Sequence, residues 1–142
     1  DIKPHCKNND CFDEVLLHGL QKYIDQSKVD TIIVLHKKGN HGPAYYKRYP
    51  KKFEKFKPTC LTERLQDCET PLIVNAYDNI ILYTDFFLDS LIKLLKSNQD
   101  QYHTTMLYVS DHGESLGENG IYLHAMPYWI APKVQTHIPF IL

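Results

Sequence analysis

Residues 108–128, YVSDHGESLGENGIYLHAMPY, hold several groups that can bind a metal ion or a phosphate. Asp111 and His112 directly follow a short apolar run, and His124 lies 12 residues further along the chain. A carboxylate next to an imidazole is a ligand set that suits zinc and also manganese. Gly113 follows the pair and permits the sharp backbone turn that two adjacent ligands on one metal ion require.

The Asp-His pair alone does not establish a metal site. Acidic, glycine-rich loops are usually solvated turns, and two ligands are fewer than a zinc site uses. Further ligands must therefore come from other segments of the protein. Glu114 and Glu118, in the same loop, are predicted either to be solvated or to orient a ligand through a hydrogen bond.

The elements that position these groups follow from hydrophobic periodicity. Continuous apolar runs of strand length predict buried parallel strands at residues 31–36 and 104–110, and a third strand at 137–142. Apolar residues at three- and four-residue steps predict helices over residues 12–24 and 75–96. Strand, loop, helix and strand in this order predict an α/β fold, a sheet flanked by helices.

Two loops leave the carboxyl ends of the predicted strands, where ligands bind in open α/β sheets. A long polar loop after the first strand carries His41, and the loop after the second carries Asp111, His112 and His124. We therefore expect these four side chains to lie close together, although His41 is remote from the others in sequence.

Four cysteines form two close pairs, Cys6 with Cys11 and Cys60 with Cys68. Two interpretations compete: local disulfides in an oxidising compartment, or zinc binding in a reducing one. The spacings differ from the two-residue spacing that is typical of zinc knuckles. They favour two disulfides, and with them the periplasm or the cell exterior.

The composition is that of an ordinary soluble protein, and 142 residues are enough for one domain with a core. A net charge of −1 gives no support for nucleic-acid binding. No run approaches the roughly 20 apolar residues of a membrane helix, and no signal peptide opens the chain. The chain begins at Asp1 and ends in a strand-like run, so we predict that residues 1–142 are a portion of a longer protein.

The longer string SDHGESLGENGIYLHAMPY resembles the phosphoethanolamine transferases of Gram-negative bacteria, which modify lipid A and include enzymes of polymyxin (colistin) resistance. The resemblance extends in the family's order over nearly the whole chain. HKKGNHGPAYYKRYP is similar to the family's histidine loop, and NAYDNIILYTDFFLDSLI to its helix before the metal strand. CFDEVLL and PTCLTERLQDC are similar to two of its disulfide segments. DHGE after an apolar strand also resembles the wider alkaline phosphatase and sulfatase superfamily, which implies a sheet of that type.

The resemblance implies a role for each site residue. Asp111 and His112 would bind zinc, while His41 and His124 would face the phosphoryl group or hold a second zinc ion. The family's remaining ligand, a glutamate, and its threonine nucleophile lie upstream, so the nucleophile is not assigned in this chain. Residues 1–142 would then be the C-terminal portion of the catalytic domain. Ala125 departs from the family, where glycine is expected, and KKGN before His41 is more charged than usual.

The implied reaction is the transfer of phosphoethanolamine from phosphatidylethanolamine to lipid A or another cell-envelope acceptor, through a covalent threonine intermediate. It would take place at the periplasmic face of the inner membrane, with N-terminal membrane helices outside this chain, and the segment alone is expected to be inactive. Two alternatives stay open: a sulfatase or phosphatase of the same superfamily, and a catalytically incomplete fragment that serves as a binding module.

Overall fold

The fold is built around one long helix in a computed structural model that describes residues 6, 7 and 10–142. The helices are α1 (Leu20–Gln26), α2 (Thr70–Ser97) and α3 (Lys133–Thr136). The short 3-10 turns are Asp13–Leu17, Tyr45–Lys47, Lys51–Phe53, Leu65–Asp67 and Glu118–Gly120. The strands are β1 (Cys6–Lys7), β2 (Asp10–Cys11), β3 (Tyr108–Val109), β4 (Ser115–Leu116), β5 (Tyr122–Leu123) and β6 (Phe140–Ile141). The described strands pair antiparallel, β1 with β2, β3 with β6 and β4 with β5.

Helix α2 confirms the helix predicted over residues 75–96 and extends it at both ends. Pro71 lies in its first turn, where the absent N–H would have had no partner within the helix. Its buried apolar face packs against the core of the long loop. The core residues are Tyr45, Tyr49, Cys60, Leu65, Ile73, Ala76, Ile80 and Tyr83. Of the described helices none, α2 included, is both long and apolar enough to span a membrane.

A buried amide on α2 fixes the loop that lies against the helix. The Asn79 side chain is fully buried. Its Oδ1 accepts hydrogen bonds from the backbone N–H groups of Lys55 (2.8 Å) and Phe56 (2.9 Å). Its Nδ2 donates to the Phe56 carbonyl at 2.9 Å. Asn79 thus satisfies backbone groups that lie outside any helix or strand.

The single helix predicted over residues 12–24 is wrong, because the segment is divided in two. The turn Asp13–Leu17 is 3-10, and α1 begins only at Leu20. Gly19 between them has a φ of 77°, in the left-handed region that glycine adopts readily and that a continuous helix excludes.

The strand predicted at residues 31–36 does not form, and the strand predicted at 104–110 is reduced to β3. Ile32 is 93% exposed and Val34 is 84% exposed. A strand needs a neighbour for its backbone groups, and none of the described residues pairs with residues 31–36. The parallel sheet is therefore absent from the described part of the chain. The expected third strand is present as β6, paired antiparallel with β3.

Lys37 nevertheless connects the ends of the two apolar runs, residues 31–36 and 104–110. Its Nζ donates to Thr84 Oγ1 on α2 at 3.1 Å and lies 4.7 Å from the Phe87 ring centroid and 5.9 Å from that of Tyr108. Burial lowers the pKa of Lys37 to about 8, against an opposing effect of the Asp13 carboxylate. The two loops that follow the runs consequently start side by side.

Both predicted disulfides are present. Cys6 is bonded to Cys11 across the β1–β2 pair, and Cys60 is bonded to Cys68. Cys60 belongs to the core, and its N–H donates to the Leu72 carbonyl at 3.0 Å. The second disulfide ties Cys60 to the segment just before α2, and the hydrogen bond to Leu72 joins the loop to the first turn of that helix. Because all four sulfur atoms are in disulfides, zinc binding by them is ruled out.

We predict that Asn79→Ala lowers the free energy of unfolding by about 2–4 kcal/mol, because the backbone groups of Lys55 and Phe56 lose their hydrogen bonds to a fully buried side chain. Asn75→Ala is the matched control, since Asn75 is only half-buried and donates one hydrogen bond, to the Pro58 carbonyl. It should cost at most about 1 kcal/mol. Urea unfolding followed by circular dichroism measures both variants, and equal losses would contradict the role given to Asn79.

Candidate metal and phosphoryl site

Three histidines from the two loops meet at one place. The rings of His112 and His124 stack with their centroids 3.7 Å apart. The His41 ring lies edge-on to both, 5.3 Å from His124 and 6.2 Å from His112. The structure thus brings together three of the four side chains expected to converge, even though the described residues form no parallel sheet beneath them.

The hydrogen bonds of these histidines fix which ring nitrogen carries the proton. Nδ1 of His41 and Nδ1 of His112 each lie against the carbonyl oxygen of the following residue, at 2.8 and 2.9 Å. Nδ1 of His124 lies 2.9 Å from Glu114 Oε1. Carbonyl and carboxylate oxygens only accept, so each Nδ1 is the donor. In the neutral ring the lone pair is then on Nε2, as a metal ligand requires.

Asp111 lies beside this cluster with its side chain 82% exposed, and its Oδ1 is 3.8 Å from His112 Nε2. Tetrahedral zinc with bonds of about 2.0–2.1 Å holds neighbouring ligand atoms about 3.3 Å apart. A small rotation of the exposed carboxylate would close this difference. The Asp111–His112 pair therefore fits one shared cation.

Glu114 is buried, so the interpretation of this residue as a solvated loop carboxylate is wrong. Its side chain is 3% exposed, and its contact with His124 follows from the β4–β5 register. Ser115 pairs with Leu123, which places Glu114 directly opposite His124. No local pattern predicts this burial, because it depends on a pairing across the loop. Burial, and next the negative charge of Glu114, raise the pKa of the Tyr45 hydroxyl.

Glu114 also belongs to the tightest group of ligand-type side chains in the described residues. One ligand atom each from His112, Glu114 and His124 lies within 4.8 Å of the other two. Glu114 Oε1 already accepts the Nδ1 proton of His124, however. A carboxylate in this position orients a histidine and increases its basicity as a ligand. We therefore assign Glu114 to the orientation of His124.

Two glycines allow the loops to approach each other closely. A Cβ on Gly42 would lie 2.5 Å from Leu123 Cδ2 and 2.9 Å from the Tyr45 hydroxyl. A Cβ on Gly113 would lie 1.9 Å from the Val134 carbonyl oxygen. Gly113 was expected at a sharp turn, but the structure shows that it is required for packing against α3.

The backbone on both sides of His124 is strained. Leu123 has a φ of 65° and Ala125 a φ of 76°, in the left-handed region that costs an L-residue about 1–2 kcal/mol. Glycine avoids this cost, which explains why glycine is expected at position 125. Strain of this kind persists where the surrounding structure holds it, and it is common at functional sites.

Asp111, His112 and His124 open onto one cavity of about 350 Å³. Its other wall is largely apolar and includes Met126 and Ile138. This volume lies within the range of small-molecule sites, about 300–1,000 Å³. The arrangement, polar ligands on one side and apolar surface on the other, suits a molecule with an anionic head and an apolar remainder.

The chain is similar to phosphoethanolamine transferases over its whole length. The sulfatase family model matches residues 1–142. Phosphoethanolamine transferase EptA of Salmonella typhimurium is 55% identical over 142 residues, which are 100% of this chain and 26% of that protein. This chain thus spans about a quarter of the length of such curated relatives.

Solved structures of transferases are similar as well. The C-terminal periplasmic domain of phosphoethanolamine transferase EptC from Campylobacter jejuni is 54% identical, with a TM-score of 0.88 over 94% of this chain and 43% of that one. The integral membrane protein lipooligosaccharide phosphoethanolamine transferase A from Neisseria meningitidis is 47% identical, with a TM-score of 0.91 over 97% of this chain and 26% of that one. These likenesses confirm the predicted sulfatase-like fold class.

We predict that Ala125→Gly raises the free energy of unfolding by up to about 1 kcal/mol, because the relief of the left-handed strain exceeds the entropy that glycine adds to the unfolded chain. Ala76→Gly, in the buried face of α2, is the matched control and should lower the stability by about 1 kcal/mol. Thermal unfolding of both variants provides the comparison. A loss of stability in Ala125→Gly would show that position 125 is not strained.

We further predict that Glu114→Gln releases the His124 ring from its fixed orientation, because the neutral amide holds the Nδ1 proton of His124 less strongly. The imidazole NMR signals of His124, assigned by their loss in His124→Gln, should shift in Glu114→Gln.

Glu118→Gln, in the same loop, is the matched control. Glu118 is exposed and accepts a hydrogen bond from the Leu116 N–H at 2.7 Å, away from the histidines. In Glu118→Gln the His124 signals should keep their positions, and unshifted His124 signals in Glu114→Gln would refute the orienting role of Glu114.

Proposed function

The chain belongs to the sulfatase family, and we propose that it forms the C-terminal portion of the catalytic domain of a zinc-dependent phosphoethanolamine transferase. The observation that carries this proposal is the shared cavity of Asp111, His112 and His124, with the His41 ring packed against the last two. Relatives named for this activity match the chain from end to end. The donor is phosphatidylethanolamine, and the acceptor is lipid A or another component of the cell envelope.

Asp111 and His112 are the zinc ligands of this chain. Oδ1 of Asp111 and Nε2 of His112 lie 3.8 Å apart, and one carboxylate with one imidazole is a set that zinc accepts. When bound, zinc polarises a phosphate oxygen and lowers the pKa of a hydroxyl nucleophile. A glutamate ligand and the threonine nucleophile are supplied from outside residues 1–142.

His41 and His124 act on the phosphoryl group. Each holds a proton on Nδ1 through an oxygen acceptor, which leaves Nε2 to meet a phosphate oxygen or to take a proton from an attacking hydroxyl. Phosphoryl transfer depends above all on positioning and on neutralisation of charge. Two imidazoles beside the two zinc ligands position the phosphoryl group and neutralise its charge. Glu114 keeps His124 in the required orientation.

The threonine attacks the phosphorus of phosphatidylethanolamine, and diacylglycerol leaves with a proton. A hydroxyl or phosphate oxygen of the acceptor then attacks the phosphorus of the phosphoethanolamine-threonine ester and releases the threonine. His41 and His124 bind the same phosphoryl oxygens in both steps, because the group stays at one place while its partners exchange.

The rest of the protein completes the sheet and reaches the membrane. Ile32 and Val34 are exposed in this chain at 93% and 84%, yet their run has the composition of a buried strand. The solved EptC domain is more than twice as long as the part that this chain matches, so strands from the remainder have room to cover the run. The two disulfides suit the periplasm, and we place the site at the periplasmic face of the inner membrane, where lipid A modification confers polymyxin resistance.

Purified full-length gene product, incubated with phosphatidylethanolamine and lipid A, should add one phosphoethanolamine group to lipid A, as followed by mass spectrometry. The double variant Asp111→Ala, His112→Ala should lose zinc and reduce kcat/KM more than about 100-fold, because a lost ligand costs more than a lost hydrogen bond to a ligand.

Asp100→Ala is the control, since Asp100 is exposed at the end of the turn after α2. It should keep both zinc and transfer. Full zinc content in the double variant would refute the ligand assignment. Hydrolysis of a sulfate ester without phosphoethanolamine transfer would instead identify a sulfatase.

A further inference from the structure

Asp13 lies far from the histidines in sequence but binds the backbone of the loop that carries His41. Its Oδ1 accepts a hydrogen bond from the Lys38 N–H at 2.9 Å, and its Oδ2 accepts one from the Gly39 N–H at 3.1 Å. Asp13 is only 8% exposed. Hydrogen bonds to an ionised, buried acceptor are stronger than those between neutral groups.

Lys37 balances the buried charge of Asp13. Its Nζ lies 3.9 Å from Asp13 Oδ2, with a side chain that is 10% exposed. The same Nζ donates to Thr84 Oγ1 on α2. Asp13 therefore connects three parts of the fold: the turn Asp13–Leu17, the start of the histidine loop, and the long helix.

Only one residue separates these contacts from His41, and the loop between is held by backbone hydrogen bonds. The His41 N–H donates to the Lys38 carbonyl at 3.3 Å, and Arg48 Nε donates to the His41 carbonyl at 2.9 Å. Gly39 has a φ of 53°, which turns the chain at this point. Because His41 is exposed and its Nδ1 bonds to the next residue's own carbonyl, the ring follows the backbone that carries it.

We propose that Asp13 is a positioning residue that holds the loop at residues 37–41 so that His41 faces His112 and His124. This proposal rests on the proposed function, in which His41 acts on the phosphoryl group. A carboxylate is specifically required, because both oxygens accept from backbone N–H groups. Asparagine offers one oxygen and would turn an N–H₂ donor toward the second N–H.

The test is a double-mutant cycle on transfer by the full-length gene product. A displacement of about 1 Å at an active site can cost up to about 100-fold in rate, so Asp13→Asn should lower kcat/KM about tenfold. In the His41→Gln background the same change should alter kcat/KM less than about twofold, because the residue that it positions is already absent. Zinc content should be unchanged in all variants, since neither Asp13 nor His41 is assigned to the Asp111–His112 zinc pair.

Asp25→Asn is the matched control, an exposed carboxylate in α1 that accepts a hydrogen bond from the Gln21 side chain, and it should leave kcat/KM unchanged in both backgrounds. Equal losses from Asp13→Asn in both backgrounds would overturn the proposal, since Asp13 would then act through stability alone. No effect of His41→Gln on transfer would overturn it as well.

The ring of His41 provides a readout that does not depend on activity. Its imidazole NMR signals, assigned by their loss in His41→Gln, should shift in Asp13→Asn and stay in place in Asp25→Asn. If the signals shift but the protein transfers no phosphoethanolamine, the proposed function is rejected and the positioning role is retained. If the signals do not shift, the positioning role is rejected. Should Asp13→Asn fail to fold, Asp13→Glu keeps the charge beside Lys37, moves the acceptor by one methylene, and should show the same dependence on His41.

Discussion

The hydrogen bond between Nδ1 of His124 and the buried carboxylate of Glu114 is the interaction on which the candidate site depends most. It exists because the β4–β5 register sets the two residues opposite each other. It fixes the tautomer of His124, and the stacked ring of His112 then has a defined neighbour. Without such fixed protons, the imidazoles would have no defined set of donors and acceptors. A cation or a phosphate would then meet several different arrangements of the same rings.

Helix α2 provides the rigid surface against which the histidine loop is built. Asn79 bonds the backbone after the short turn Lys51–Phe53, and Thr84 accepts a hydrogen bond from Lys37 at the start of the histidine loop. Tyr45, further along the same loop, is buried in the core formed with α2. These contacts hold the loop on α2 although it contains no strand, and this is what allows His41 to meet His112, which lies 71 residues further along the chain.

The sequence predicts those features that depend on residues close together in the chain. The apolar face of α2, the two cysteine pairs and the position of His41 after an apolar run all belong to this group. The burial of Glu114 could not be predicted, because a long-range pairing causes it. The strand at residues 31–36 was predicted from its composition and is absent, because a strand forms only where a neighbouring chain segment offers its backbone groups. The described residues provide no such neighbour for this apolar run.

In the proposed site, Asp111 and His112 bind zinc beside two phosphate-binding histidines. Anomalous diffraction at the zinc absorption edge, from crystals of the full-length gene product, tests it most directly. We expect a peak between the Asp111 carboxylate and Nε2 of His112, at about 2.0–2.2 Å from each. A zinc peak bound elsewhere in the protein, with none at this pair, would contradict it.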